Sequence, residues 1–149
     1  MTPSEFIGRL FMAVTELHPV HSMTVHFPIA LSGAALFFVL LALWQRSESL
    51  EQAAFYNIGL ATLSTVVAAI TGIMDNLSRY EGDAPLTNVK LFLGLSLFIL
   101  TLVLTVSRWR QPRLLWQPSS MVLYVLGFAG SFALAATLGF LGGVILYGF

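Results

Sequence analysis

Phe27-Pro-Ile-Ala-Leu-Ser-Gly-Ala-Ala-Leu-Phe-Phe-Val-Leu-Leu-Ala-Leu-Trp44 is the stretch that decides the fold. It carries no charge, and a helix of about 20 apolar residues crosses the ~30 Å hydrocarbon core of a bilayer. No water reaches that core, so the backbone of such a run must close its own hydrogen bonds as a helix. Working outward, three more runs meet the same test. Ala53 to Met74 is charge-free; Leu91 to Ser107 is bounded by Lys90 and Arg108; nothing after Arg113 is charged, so a fourth span can use Ser119 to Phe149. Long basic side chains at the ends of the third run can snorkel to the interfaces. Spans are therefore expected at about 24–44, 53–76, 89–107 and 119–147. Short connections make neighbours antiparallel. The expected fold class is all-α: an integral membrane four-helix bundle, one transmembrane domain over 1–149.

Composition agrees. The chain is 57% hydrophobic and 9% charged, against roughly 25% charged in an average soluble domain. Lipid must solvate much of its outside. Seven basic and seven acidic residues cancel, which argues against a nucleic-acid partner, since that needs a basic face. There is no cysteine, which excludes disulfides, thiolate metal sites, iron–sulfur ligation and covalent c-type haem attachment within the chain.

Before the first span, Phe6, Ile7, Leu10, Phe11, Val14 and Leu17 recur at helical spacing, interrupted by Glu5, Arg9 and Glu16. Thr2, Pro3 and Glu5 supply a capping hydroxyl, a first-turn proline and an acid three residues after the cap. A short N-terminal interfacial amphipathic helix is expected over 3–17. The segment lacks the basic region, apolar block and cleavage site of a signal peptide.

Orientation follows from the basic residues near the span ends. Arg46, Arg108, Arg110 and Arg113 fall on one side with Glu48 and Glu51. Arg9, Arg79 and Lys90 fall on the other with Glu5, Glu16, Asp75, Glu81 and Asp83. Trp44, Trp109 and Trp116 share the arginine side as an interface belt. Both termini are expected outside, and three histidines, His18, His21 and His26, at the outer leaflet.

The fourth span carries Gly127, Ser131, Ala135, Gly139 and Gly143 at every fourth position; the second has Ser64, Ala68 and Gly72. Small residues in a row let helix backbones approach closely. Such a row can pack inside the bundle or dock another subunit, and the spacing leaves both open.

The histidines are where chemistry could reside. On one helix His21 and His26 point about 140° apart, at 100° per residue, so they cannot clamp one haem. Spans two to four offer no second histidine. A His–Met haem through Met74, a ligand from a second copy, a five-coordinate haem or none remain open. His18 and His21 could share a metal with Asp75, Glu81 or Asp83, but no spacing fixes such a site. Otherwise the histidines are polar anchors, with His26 bonded to Asp75 or Asn76 of span two. Pro28 would kink the helix and free carbonyls near His26. Asn57 can bond between helices, and Asp75 and Arg79 have i, i+4 spacing. No nucleophile–base pair, phosphate-binding loop or paired intramembrane carboxylates occur. The chain is expected not to be an enzyme, and charge-free spans argue against a transporter or channel.

His21-Ser-Met-Thr-Val-His26-Phe-Pro28-Ile-Ala-Leu resembles the opening of a family of small bacterial four-span membrane proteins of unknown function, typically His-Pro-x-x-Val-His-Phe-Pro-Ile-Ala-Leu. Thr71-Gly-Ile-Met-Asp75 is similar to that family's second-span ending, Thr-Gly-x-x-Asp. Leu141-Gly-Gly-Val-Ile-Leu-Tyr147-Gly is similar to its Gly-Gly-x-Leu-Val-Tyr close. The family is often fused to or encoded near c-type cytochrome and other respiratory modules. The resemblance implies the bacterial inner membrane, a redox setting, possible b-type haem, and His21, His26 and Asp75 as family positions. Ser22 replaces the family's proline. Many members have a histidine at the start of span three, where this chain reads Leu86-Thr-Asn-Val-Lys90.

The expected function is a non-catalytic subunit of a bacterial redox or photosynthetic membrane complex. It would dock through its small-residue faces and turn its outer histidine region to a cofactor or partner. The alternative is a b-type haem protein passing electrons between quinone and a periplasmic acceptor. Candidate cofactor residues are His21, His26, Asp75 and Met74; no metal site is expected. Expected partners are lipid and other subunits or further copies of the chain.

Overall fold

Thr2 and Glu5 close a capping box at the N-terminus: Thr2 N–H donates to Glu5 Oε2 at 2.8 Å and Glu5 N–H to Thr2 Oγ1 at 3.3 Å. Two otherwise orphaned amides are thereby satisfied, and helix α1 runs Pro3–Met12. A computed structural model describes residues 2–12 and 20–147. The rest of the expected interfacial segment, and His18 with it, lies outside the described residues.

The chain continues as α2 (Val20–Thr24), α3 (His26–Gln45), α4 (Glu48–Arg79), α5 (Thr87–Arg110), a 3-10 turn at Leu114–Trp116, and α6 (Pro118–Tyr147). Proline at position 28 cannot donate to the carbonyl one turn earlier, and the helix is interrupted at Val25, between α2 and α3. Four segments are long and apolar enough to cross a membrane: Val20–Gln45, Glu48–Arg79, Thr87–Arg110 and Pro118–Ile145, with mean hydropathies of 2.2, 1.6, 2.4 and 1.9. The protein is an all-α membrane-spanning bundle.

Each connection has a local cause. Arg46 takes a left-handed conformation (φ 50°) and caps α3 through the Ala42 carbonyl. Ser47 then caps α4, its Oγ accepting from Leu50 N–H at 3.4 Å. Two residues thus reverse the chain. At the other end Asn76 folds the α4–α5 turn over itself. Its side chain donates to the Gly82 carbonyl at 3.2 Å and accepts from Ala84 N–H at 2.9 Å, and Gly82 supplies the positive φ of 90° that the turn requires. Asn76 is therefore a turn organiser and not the partner of His26.

Helix α3 packs on α4, α4 on α5, α5 on α6, and α6 back on α3. One narrow stripe from each faces inward: Ser32, Ala35, Val39 and Ala42; Ala54, Ile58, Ala61, Thr65 and Ala68; Leu97, Thr101 and Leu104; Tyr124, Phe128, Ser131 and Ala135. Steps of three and four residues keep each stripe on one helix face. Most of these side chains are small, which is how helices hold together where lipid removes any hydrophobic drive between them. Buried hydroxyls return to their own helix, as Thr65 to the Ala61 carbonyl (2.8 Å) and Thr101 to that of Leu97 (3.0 Å). Asn57 does the same, donating to Ala53 O at 2.9 Å, so it forms no bond between helices. Leu60, Leu63, Ile70, Leu95 and Leu123 point outward, as a lipid-facing surface requires.

A hydrophobic core cluster joins Ala35, Val39, Ala42, Ile58, Leu104, Leu115, Tyr124 and Phe128. It sits toward the end of the bundle that carries Arg46, Arg108, Arg110 and Arg113, here the arginine end; the other is the histidine end. Trp44 and Trp109 are 81% and 77% exposed at the arginine end. Trp116, at the same end, is half-buried and packs partly against the core.

Candidate functional site

At the histidine end, α2 lies against α4. His21 is half-buried there. Its Nδ1 is 3.3 Å from Thr71 Oγ1, and Thr24 Oγ1 is 2.8 Å from the same oxygen. Thr71 uses its own proton on the Val67 and Ala68 carbonyls (3.0 and 3.1 Å). Thr24 also donates to the His21 carbonyl at 3.0 Å, so the three polar groups tie α2 to α4. The ring lies on Gly72: a Cβ added there would stand 2.9 Å from His21 Cε1. Gly72 is thus the floor of a histidine seat. Ala68, earlier in the same row, is buried, and Ser64 donates to the Ala61 carbonyl at 2.9 Å.

His26 behaves differently. It opens α3 on an exposed face, and its Nδ1 is 2.6 Å from the Ser22 carbonyl. A carbonyl can only accept, so Nδ1 is the protonated nitrogen. The His26 ring is exposed, and no hydrogen bond of its Nε2 is formed with the described residues. A ring held through Nδ1–H by a backbone carbonyl is the usual second-shell arrangement of ligating histidines. His26 bonds neither Asp75 nor Asn76, correcting that expectation.

Asp75 pairs with Arg79, carboxylate to Nε at 2.8 Å, on its own helix. Its charge and that of Lys90 both reach His21. Met74 is 63% exposed. It stands two residues from Gly72, about 200° around α4 at 100° per residue, so it turns away from the His21 seat. His21, His26 and Met74 are not brought to one point. Among the described residues no three His, Asp or Glu side chains converge on a metal-sized space.

The row on α6 faces inward over most of its length. Ser131 and Ala135 are buried. A Cβ at Gly127 would stand 2.6 Å from Leu104 Cδ2, and one at Gly139 would stand 2.6 Å from Ile29 Cδ1. Only Gly143 meets nothing within 4 Å. Of the two uses left open by the spacing, these contacts place four of the five residues in the bundle's own packing.

The arginine end holds a buried ion pair just beyond the charge-free runs of the second and third spans. Glu51, in the first turn of α4, is 1% exposed. Arg108 of α5 grips it with two bonds, Nε to Oε1 at 2.5 Å and the guanidinium Nη2 to Oε2 at 2.6 Å. Tyr124 of α6 donates to Oε1 at 3.4 Å, and Phe55 lies under the guanidinium at 5.3 Å. Charged groups therefore do stand within the spanning helices, as a neutralised pair. Glu51 continues the buried stripe of α4 by one step of three before Ala54. Arg108 continues that of α5 by one step of four after Leu104. Those steps were the available signal.

The profile of a family described as Predicted membrane protein (DUF2231) matches residues 17–149. The chain belongs to this family. The matched region holds the whole bundle, His21, His26 and the Glu51–Arg108 pair, so every feature described above apart from α1 is part of the DUF2231 unit. Neither a curated protein nor a solved structure matches the chain.

Proposed function

We propose that this DUF2231 protein is a non-catalytic integral subunit of a bacterial redox or photosynthetic membrane complex, with His26 turned toward a cofactor or partner beside it in the bilayer. The observation that carries this is the fixed tautomer of His26. Its Nδ1–H is spent on Ser22 O, and the residue is exposed. An exposed ring in that tautomer suits a metal centre or a hydrogen-bond donor on a neighbour. His21, by contrast, serves the fold.

The reading includes the inner membrane with both termini outside. Pairing Arg108 with Glu51 leaves Arg46, Arg110 and Arg113 as the bases of the arginine end, which suits the cytoplasmic face. The family resemblance adds the redox setting. A b-type haem protein is the second reading, favoured by the same exposed ring. His26 would hold the haem iron there, and any further ligand would come from a second copy or a different subunit. Docking falls to surfaces outside the buried glycine row. The visible spectrum of the detergent-purified protein tests the haem reading: a Soret band with reduced α and β bands, lost in His26→Ala, supports it, and a colourless protein removes it.

A further inference from the structure

Both connections at the arginine end repeat one pairing, an exposed tryptophan followed within two residues by an exposed arginine. Trp44 precedes Arg46 in the α3–α4 reversal. Trp109 precedes Arg110 at the end of α5, and Arg113 is exposed in the same connection. Phe37 and Leu40, seven and four residues before Trp44, are exposed, as is Leu102, seven before Trp109. Those steps share a helix face. Each indole therefore ends a lipid-facing stripe, at the level where tryptophan meets lipid headgroups. Arg46 also stands at a helix end with φ 50°, a conformation for which glycine is the usual choice. The guanidinium groups of Arg46, Arg110 and Arg113 have no hydrogen-bond or ion-pair partner among the described residues. Arg108, the fourth base of this end, is spent on Glu51. Glu48, whose charge acts on Arg108, is the other acid here, so three exposed bases face one acid.

A guanidinium matches phosphate oxygens through two parallel hydrogen bonds. Every phospholipid carries a phosphate, but a zwitterionic headgroup brings its own cation, and an excess of bases favours headgroups that do not. The apolar stripe leading into each indole separates lipid from an acidic protein, because it brings the ligand to the arginines from the hydrocarbon side. We propose that the arginine end selects anionic phospholipid, with Arg46, Arg110 and Arg113 on the headgroup phosphates and Trp44 and Trp109 fixing the depth of the contact. The inference depends neither on His26 nor on which side of the membrane this end faces.

All three tryptophans of the chain, Trp44, Trp109 and Trp116, belong to this end, so tryptophan fluorescence reports on its lipid alone. The full-length protein is reconstituted in vesicles of equal parts phosphatidylglycerol and phosphatidylcholine, with one or the other brominated on its acyl chains. Brominated phosphatidylglycerol should quench the tryptophans more strongly than brominated phosphatidylcholine. The ratio of the two apparent binding constants should fall by up to about fivefold in each of Arg46→Gln, Arg110→Gln and Arg113→Gln, the effect of the ~1 kcal/mol that one basic residue contributes toward anionic lipid. The triple variant should quench equally with both lipids. An Arg46→Lys, Arg110→Lys, Arg113→Lys variant, which keeps the charge, should retain most of the preference, and Lys90→Gln at the histidine end should leave it unchanged. Circular dichroism shows that each variant is folded. Equal quenching of the wild type by the two lipids overturns the proposal and leaves an acidic protein as the occupant. A preference that survives in the triple glutamine variant overturns it too, as does one that Lys90→Gln abolishes. If millimolar inorganic phosphate removes the preference at constant ionic strength, the surface is a phosphate site and the lipid assignment falls.

Discussion

Arg108 meets Glu51 through two parallel hydrogen bonds, 2.5 and 2.6 Å long, between the last turns of α5 and the first turn of α4. The pair joins two neighbouring spans, with the carboxylate buried and the guanidinium largely so. Tyr124 adds α6 to the same carboxylate. Three of the four spans are thereby tied at one end.

Breaking one side of such a pair leaves the other charge buried, which costs about 3–5 kcal/mol, whereas replacing both with apolar groups is often neutral or better. Glu51→Leu and Arg108→Leu should each lower the thermal midpoint in detergent sharply. The double variant should recover most of the loss. A double variant with additive losses would mean that the two groups do not act as a pair. Tyr124→Phe should cost less, about 1 kcal/mol, because the 3.4 Å bond is a secondary one.

Gly72 and His21 should show the opposite coupling, through space and not charge. Gly72→Ala puts a methyl 2.9 Å from the imidazole, and overpacking of this kind costs about 1–3 kcal/mol. His21→Ala in the same chain should remove most of that penalty. Denaturation of the two single variants and the double variant measures the coupling, which vanishes if the ring does not sit on Gly72.

The α6 glycines should divide by position. Gly127→Ala and Gly139→Ala each drive a methyl to 2.6 Å from a neighbouring side-chain tip, and both should destabilise. Gly143→Ala meets nothing within 4 Å and should be neutral or stabilising by up to about 1 kcal/mol, the helix-propensity difference. A melting series decides. Equal tolerance at all three would show that the row faces lipid.

The four spans and the capping box were legible because each rests on local rules: an uncharged run long enough to cross, and a hydroxyl three residues before an acid. The break before Pro28 and the Asp75–Arg79 pair were legible for the same reason. What was not legible depends on which face of a helix turns inward. Glu51 and Arg108 lie just beyond uncharged runs, and a charge count assigns them to loops. Their burial follows only from carrying the 51, 54, 58 and 97, 101, 104, 108 steps past the apolar boundary. The roles of His21 and His26 were likewise set by tertiary contact. Thr71 and Gly72 capture the first, while the second is held by a carbonyl of its own chain.

His26 is where the proposed function stands or falls. Membranes of the native organism, solubilised in mild detergent, should release the tagged chain in an assembly larger than itself, carrying the visible absorbance of a redox or pigment cofactor. His26→Ala, folded and inserted as before, should lose the assembly or shift that absorbance. A wild-type chain that runs alone and colourless, indistinguishable from His26→Ala, would contradict the proposal.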